Sequence, residues 1–201
     1  MSRDRNSINP LFALLAIALL MGLLLGMTNL ATKDIITTQK LVKAEESRKA
    51  IFPEAKEFTQ FDLHSIDLSS APGLTEIYLA KRDDNVIGYI FAASNRGYAG
   101  GVPCIIGINK DGVIVGIEVL DNKETPGLGT KIEEPAFLNR LTGKEVSDSF
   151  DLVASYEKKD GISAVTGATF SSKAVVNDVK DAVSAYEQLQ TLSQKGGDDV
   201  N

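Results

Sequence analysis

The sequence predicts an α+β protein in which a single N-terminal transmembrane helix precedes a small domain of β-hairpins and helices. Three observations support this prediction: a long uncharged apolar stretch near the N-terminus, paired β-rich runs separated by short turns, and an amphipathic helical pattern near the C-terminus. The chain has 201 residues, 43% of them hydrophobic. That length and composition suffice for one domain with its own core.

Composition argues against several functional classes. The net charge is −6, with 21 Lys and Arg against 27 Asp and Glu, which disfavours binding to the phosphate backbone of nucleic acids. The single cysteine, Cys104, cannot form an internal disulfide. Together with the single histidine, His64, it also leaves no His/Cys cluster for zinc or copper. We therefore expect neither a nucleic-acid partner nor a metal site.

The membrane helix is predicted from the N-terminal region. Residues 6–32 are 27 residues without a charge, and residues 11–27 within them are apolar without interruption. As a helix the uncharged stretch is about 40 Å long, which exceeds the roughly 30 Å of a hydrocarbon core. We predict a transmembrane helix over residues 9–31 after a cytoplasmic N-terminus of residues 1–8. A cleaved signal peptide is the alternative, but its cleavage pattern fits poorly after this stretch.

The charge distribution predicts the orientation of that helix. Arg3 and Arg5 flank its N-terminal end, and residues 1–33 carry a net charge of +2 whereas the other 168 residues carry −8. The positive-inside tendency keeps the basic end in the cytoplasm and places the acidic domain on the other side. We therefore expect a single-pass protein of a bacterial or archaeal cytoplasmic membrane with an extracytoplasmic C-terminal domain. Its helix would contact the lipid bilayer.

A stalk or packing helix and a loop are predicted between the membrane helix and the folded domain, over residues 32–72. Residues 34–50 lack Gly and Pro and mix apolar with charged positions, which favours a helix that ends before Pro53. Residues 65–72 have the composition of a turn.

The folded domain is predicted over residues 73–192. Two hairpins are expected from runs rich in β-branched residues, with short turn sequences inside each pair: residues 75–81 with 86–94, and residues 104–108 with 113–119. Apolar residues at a 3.6-residue spacing then predict an amphipathic helix over residues 172–192. The polar tail of residues 193–201 is expected to be disordered.

Glycines are concentrated where a ligand could approach the backbone. Eight of the 17 glycines lie between residues 97 and 129, and two segments stand out: residues 97–101 (GYAGG) and residues 124–129 (ETPGLG). A missing side chain permits close approach of a ligand. Glycine-containing hairpin turns are the alternative explanation, because neither segment is a known phosphate-binding loop.

A third segment, residues 166–172 (TGATFSS), leads into the predicted C-terminal helix. Hydroxyl and small residues at a helix start suit an anion, because the first N–H groups lack partners and the helix dipole favours negative charge. The alternative is local: Ser171 or Ser172 would be the N-cap, and Thr166 and Thr169 would make turn hydrogen bonds.

In their order along the chain, these motifs resemble the FMN-binding domain family, and with the N-terminal anchor they resemble the G subunits of Rnf ion-translocating ferredoxin:NAD⁺ oxidoreductases. The resemblance rests on residues 97–101, 113–117, 124–129 and 166–176. In that family FMN is esterified through its phosphate to the second threonine of the S/T-G-A-T motif, which corresponds to Thr169. A separate flavin transferase installs it.

The resemblance also implies a set of residues around the flavin. Residues 124–129 would line it, with Thr125 as a hydrogen-bond partner and Leu128 as an apolar wall. The full set of expected cofactor contacts, besides the attachment at Thr169, is Glu124, Thr125, Pro126, Gly127, Leu128, Gly129, Thr166, Gly167, Ala168, Ser171, Ser172, Tyr98, Gly100, Gly101, Lys131 and Lys173.

The function implied by the resemblance is electron transfer. The chain would carry covalent FMN within a membrane redox-driven ion pump that couples ferredoxin:NAD⁺ oxidoreduction to translocation of Na⁺ or H⁺. It would work with the other subunits of the Rnf complex and have no self-contained catalytic site, because the flavin supplies the electron chemistry. The alternatives are the C subunit of the Na⁺-translocating NADH:quinone oxidoreductase and a non-redox, membrane-anchored anion-binding module.

Overall fold

The structure is a computed structural model that describes residues 10–153 and 161–198. The predicted cytoplasmic N-terminus and the last three residues of the predicted tail lie outside the described residues. The helices are α1 (Pro10–Ile51), α2 (Pro135–Leu138) and α3 (Thr169–Asp198), with short 3-10 helices at Leu63–Ser65 and Gly129–Glu133. The strands are β1 (Glu57–Phe61), β2 (Leu74–Arg82), β3 (Asn85–Arg96), β4 (Gly101–Asn109), β5 (Ile114–Val119), β6 (Leu152–Val153) and β7 (Ile162–Ser163).

Helix α1 contains the apolar stretch. It has 42 residues, and its most apolar 18-residue window has a mean hydropathy of 2.5, which is long and apolar enough to cross a membrane. Thr28 and Thr32 donate their hydroxyls to carbonyls one helical turn earlier, at 2.9 Å, and so satisfy their polar groups within the helix. The predicted membrane helix and the predicted stalk helix are consecutive parts of this one helix. By its contacts the chain divides into residues 1–42 and 43–201.

The second unit is built on a five-stranded antiparallel sheet in the order β1-β2-β3-β4-β5. Both predicted hairpins are confirmed: β2 pairs with β3 and β4 pairs with β5. The first turn holds Asp83 and Asp84 at positive φ (49° and 65°), the conformation that matches the twist of a two-residue hairpin turn. Strand β1 is missing from the sequence prediction, because its five residues form no clear apolar alternation.

Helix α3 covers one face of this sheet. It begins at Thr169, three residues earlier than predicted, and continues to Asp198. The predicted disorder is therefore wrong for residues 193–198. The prediction followed the apolar period, which ends near Leu192, but a long formed helix extends through polar residues at little cost once it is nucleated. The apolar face of α3 joins the main core through residues such as Val175, Val179 and Ala182.

The opposite face of the sheet packs against Phe52 and the last turns of α1. Phe52 forms a second, smaller core with Ala80, Ile90 and Ile105. Two glycines let these residues come close to the strand backbones. A Cβ added at Gly88 would lie 2.3 Å from the Phe52 ring, and one added at Gly107 would lie 2.2 Å from a methyl carbon of Ile51. Without side chains at these two positions, Ile51 at the end of α1 and Phe52 after it pack directly against the sheet.

We expect Gly88→Ala to destabilise the folded domain by about 1–3 kcal/mol, because the added methyl group overpacks the contact with Phe52 and also meets the Ile108 carbonyl. Urea unfolding of the full chain in detergent measures this difference. Gly100→Ala is the matched control, because an added Cβ there meets nothing within 4 Å. Equal unfolding free energies for the two variants would contradict the prediction.

Candidate functional site

The three segments singled out in the sequence meet at one pocket of about 330 Å³. Tyr98 comes from the connection between β3 and β4, a second group of residues comes from the loop after β5, and the third comes from the start of α3. The lining residues are Tyr98, Glu124, Thr125, Leu128, Gly129, Gly167, Ala168, Thr169, Phe170 and Ser171. The fold therefore brings together segments separated by more than sixty residues of sequence.

The carboxylate of Glu124 joins these three segments. The residue is buried, at 3% exposure, although its charge would ordinarily keep it in water. Its Oε1 atom accepts a hydrogen bond from the Ala99 N–H at 3.0 Å, and its Oε2 atom accepts one from the Ser171 hydroxyl at 2.5 Å. Each oxygen is thus satisfied by a different segment, as a buried carboxylate requires.

Two glycines make room for this carboxylate. A Cβ added at Gly97 would lie 2.5 Å from Glu124 Oε1, and one added at Gly129 would lie 2.9 Å from Glu124 Cβ. Both distances are shorter than any ordinary contact. The sequence prediction assigned such glycines to close approach by a ligand, whereas the structure shows that these two allow close approach by Glu124.

A compact turn shapes the loop after β5. The Asn122 side chain accepts a hydrogen bond from the Glu124 N–H at 3.0 Å, and the Thr125 carbonyl accepts one from the Gly129 N–H at 2.9 Å. Gly127 has φ +73°, a conformation that favours glycine, and its N–H donates to the Thr130 hydroxyl at 3.0 Å. The turn exposes Leu128 at the pocket, where the side chain is 43% exposed.

The start of α3 forms the remaining wall of the pocket. Thr169 is the first residue of the helix, is exposed, and lines the pocket. The first N–H groups of a helix lack partners within it, and the dipole there favours an anion. Gly167, at φ +78°, lets the chain turn into the helix, and a Cβ on it would lie 2.9 Å from Leu128 Cδ1. Small residues are therefore needed just before Thr169.

Ser171 and Ser172, the two serines after Thr169, do not cap the helix. The idea that Ser171 or Ser172 is the N-cap is wrong, because both lie inside the first turn of a helix that begins at Thr169. The Ser171 hydroxyl donates to Glu124, whereas the Ser172 hydroxyl accepts a hydrogen bond from the Val165 N–H at 2.9 Å. Ser172 therefore stabilises the backbone that leads into the helix.

The other expected contact residues lie around the pocket rather than in its wall. Thr166 and Lys131 line a neighbouring pocket of about 350 Å³ together with Arg140, and Lys173 is exposed on α3. The remaining expected residues that do not line the first pocket are Pro126, Gly127, Gly100, Gly101 and Ser172. Sequence reasoning missed Phe170, which lines the pocket and is 67% exposed. An aromatic residue directly after Thr169, at the predicted start of the helix, was the available signal.

We expect Glu124→Ala to lower the free energy of unfolding by about 1–3 kcal/mol, because the Ala99 N–H and the Ser171 hydroxyl both lose their acceptor. Urea unfolding measures the loss. Glu187→Ala, which removes an exposed carboxylate from α3, is the control and is expected to change little. If both variants unfold alike, Glu124 does not hold the three segments together.

Comparison with known proteins defines the class of this site. The FMN-binding domain family matches residues 97–184, a range that contains all three pocket segments. The fold and the site thus define an FMN-binding domain attached to an N-terminal helix that is long and apolar enough to span a membrane.

Relatives of known name narrow the class. The G subunit of the Na⁺-translocating ferredoxin:NAD⁺ oxidoreductase complex of Acetobacterium woodii is 31% identical over 175 residues, which cover 82% of this chain and 84% of the relative. The G subunit of the ion-translocating oxidoreductase complex of Escherichia coli O157:H7 is 33% identical over 178 residues, covering 83% and 84%. This chain belongs to the family of G subunits of ion-translocating oxidoreductase complexes.

Solved structures share the fold. The C subunit of the Na⁺-translocating NADH-quinone reductase of Parabacteroides distasonis superposes with a TM-score of 0.51 and 24% identity, covering 67% of this chain and 77% of that one. NqrC of Shewanella oneidensis gives the same TM-score with 16% identity, covering 70% and 84%. At these identities the likeness concerns the fold alone. The named relatives at higher identity are G subunits.

Proposed function

We propose that this chain is the FMN-carrying electron-transfer subunit of an ion-translocating ferredoxin:NAD⁺ oxidoreductase complex. The observation that supports it most is the pocket at the start of α3, which lies within the range matched by the FMN-binding domain family. When bound, FMN accepts and donates electrons. The chain contributes binding and position, so it takes part in the enzyme reaction only as one subunit of the complex.

The residues of the pocket suit FMN. An anionic phosphate fits the start of α3, where unpaired N–H groups and the helix dipole favour negative charge. The exposed side chains of Tyr98, Leu128 and Phe170 offer aromatic and apolar surface for a flat ring. The Glu124 carboxylate is buried and accepts hydrogen bonds from two donors, so it holds the pocket segments together.

We further propose that FMN is attached covalently, as a phosphoester of the Thr169 hydroxyl, by a separate flavin transferase. Three features support this attachment: Thr169 is an exposed residue, it lines the pocket, and the residues before it are small. Gly167 and Ala168 leave space for a modifying enzyme to reach it. A tether keeps the flavin at a high effective concentration at its pocket, where a released flavin would diffuse away.

Thr169→Val is expected to abolish covalent flavin, because valine keeps the branched shape and removes the hydroxyl. Intact mass spectrometry and in-gel flavin fluorescence of chain co-expressed with a flavin transferase measure the attachment. Thr191→Val is the matched control, since Thr191 is an exposed threonine near the other end of α3 and outside the pocket, and it should retain one FMN per chain.

Two outcomes would contradict the proposal in different ways. Covalent flavin retained on Thr169→Val would move the attachment site to another residue. Wild-type chain without covalent flavin, despite a transferase active on another substrate, would remove the covalent step and would favour a membrane-anchored anion-binding module.

We also propose that the N-terminus is cytoplasmic and that the domain is extracytoplasmic. Arg3 and Arg5 before the apolar stretch support this orientation. The same placement gives the tether a use, because flavin lost outside the cytoplasm is not recovered. The membrane partners are the other subunits of the complex and the lipid around the helix.

Cysteine labelling tests the orientation. A membrane-impermeant maleimide should label Glu187→Cys on intact spheroplasts, whereas Ser2→Cys should react only after detergent is added. The native Cys104 is 1% exposed, so it should not react with the maleimide in the folded chain. Labelling of Ser2→Cys alone on intact spheroplasts would reverse the proposed orientation.

A further inference from the structure

Two carboxylates on the buried side of α3 share one asparagine side chain. The Asn95 amide nitrogen donates to Asp178 Oδ1 at 3.0 Å and to Asp181 Oδ2 at 2.7 Å, and the Asn95 backbone N–H also donates to Asp178 Oδ1, at 2.7 Å. The Gly73 N–H donates to Asp181 Oδ2 at 2.8 Å. We call Asn95, Asp178, Asp181 and Gly73 the Asn95 cluster.

Space in the cluster is fully used. A Cβ added at Gly73 would lie 2.2 Å from the Asn95 side-chain nitrogen and 2.5 Å from Asp181 Oδ2. Asp178 is 0% exposed and Asp181 is 6% exposed. The groups therefore cannot separate without moving the chain around them.

The cluster contains more negative charge than it can neutralise. Within residues 10–153 and 161–198, neither carboxylate has a lysine or arginine at salt-bridge distance. Asp178 Oδ2 is buried and has no hydrogen-bond donor among these described residues. A buried carboxylate with an unpaired oxygen is costly when ionised, and a second carboxylate on the same amide adds to the cost. One proton removes most of that cost.

The groups that face Asp178 decide where the proton resides. From β3 it meets Asn95, from β4 it meets the buried Cys104 thiol, and from its own helix it meets Asp181. Burial raises the pKa of Asp178 to about 7, and the Asp181 charge adds to the rise, although Cys104 and Asn95 favour the charged form. Burial also raises the pKa of the Cys104 thiol, so the thiol carries no charge of its own.

The cluster is connected directly to the pocket. Asn95 immediately precedes the segment of residues 96–101, whose Tyr98 lines the pocket and whose Ala99 N–H donates to Glu124. The same helix that carries Asp178 begins at Thr169. The Asn95 hydrogen bonds therefore fix one end of this pocket segment to the helix that forms the opposite wall.

We propose that Asp178 is a positioning residue that holds a proton in the folded domain, and that loss of this proton favours a local opening that hydrates Asp178, separates it from Asn95 and loosens residues 96–101 at the flavin pocket. The proposal concerns the flavin site and so builds on the proposed function, but the loop and the proton belong to the chain itself. The redox state of any cofactor is not required for this step.

The direction of the pH dependence follows from linkage. A carboxyl whose pKa is raised in the folded state stabilises that state fully below its unfolded pKa, near 3.8, and this contribution is lost as the pH rises to about 7. If local opening hydrates Asp178, the equilibrium for opening increases by up to about tenfold per pH unit across this window and is level above it.

Hydrogen exchange of the flavin-free full chain in detergent, prepared without the transferase, tests the proposal. Corrected for the intrinsic pH dependence of exchange, protection of residues 96–101 should fall between pH 5 and pH 7 by up to about tenfold per unit. Asp178→Asn, which mimics the neutral carboxyl, should give protection that does not change over this range. Asp151→Asn, an exposed carboxylate that meets α3 through Lys180, is the matched control and should behave as wild type.

Three results would overturn the proposal: flat wild-type protection, a pH dependence that persists in Asp178→Asn, or a dependence that also disappears in Asp151→Asn. If Asp178→Asn does not fold, infrared spectroscopy of the wild type decides the matter. A buried carboxylic acid band should decrease as the pH rises through about 7, and its absence at pH 6 would refute the proposal. Absence of covalent flavin would leave these results unaffected and would count only against the proposed function.

Discussion

The buried carboxylate of Glu124 is the interaction on which the rest of the site depends. Ala99 and Ser171, its two hydrogen-bond donors, lie 25 and 47 residues away in sequence, so no local element could bring the three pocket walls together. A buried carboxylate must have each oxygen satisfied, and this requirement holds the strand connection, the loop and the helix start at fixed spacing. Gly97 and Gly129 follow from it, because a larger side chain at either position would occupy the space of Glu124.

The sheet holds both helices against it by different means. On one face it presents apolar side chains to α3, and on the other it combines glycine backbone with the smaller apolar core around Phe52. Apolar burial against α3 supplies most of the core, whereas the glycines on the other face allow close approach. The sheet is therefore the common reference for the start of α3 and for the last turns of α1, within residues 43–201.

Local features of the sequence predicted most of the elements. The hairpins followed from β-rich runs and turn residues, and the helices from apolar stretches and periodicity, because these signals act within a few residues. The pocket segments were found through glycines, hydroxyl residues and family resemblance. The role of Glu124 was not found, since nothing in the sequence near an acidic residue indicates that distant donors will bury it. The Asn95 cluster was missed for the same reason: 83 residues separate Asn95 from Asp178.

The pocket segment at residues 96–101 is therefore held by two carboxylates from elsewhere in the chain, Asp178 through Asn95 just before it and Glu124 through Ala99 within it. The two anchors differ in how their oxygens are paired. Each oxygen of Glu124 has a donor, whereas Asp178 keeps one oxygen without a donor among the described residues. An ionised carboxylate with an unpaired buried oxygen is costly, and burial raises the pKa of Asp178 to about 7. Under the proposed role of Asp178, a rise in pH toward 7 therefore loosens the segment at its Asn95 end.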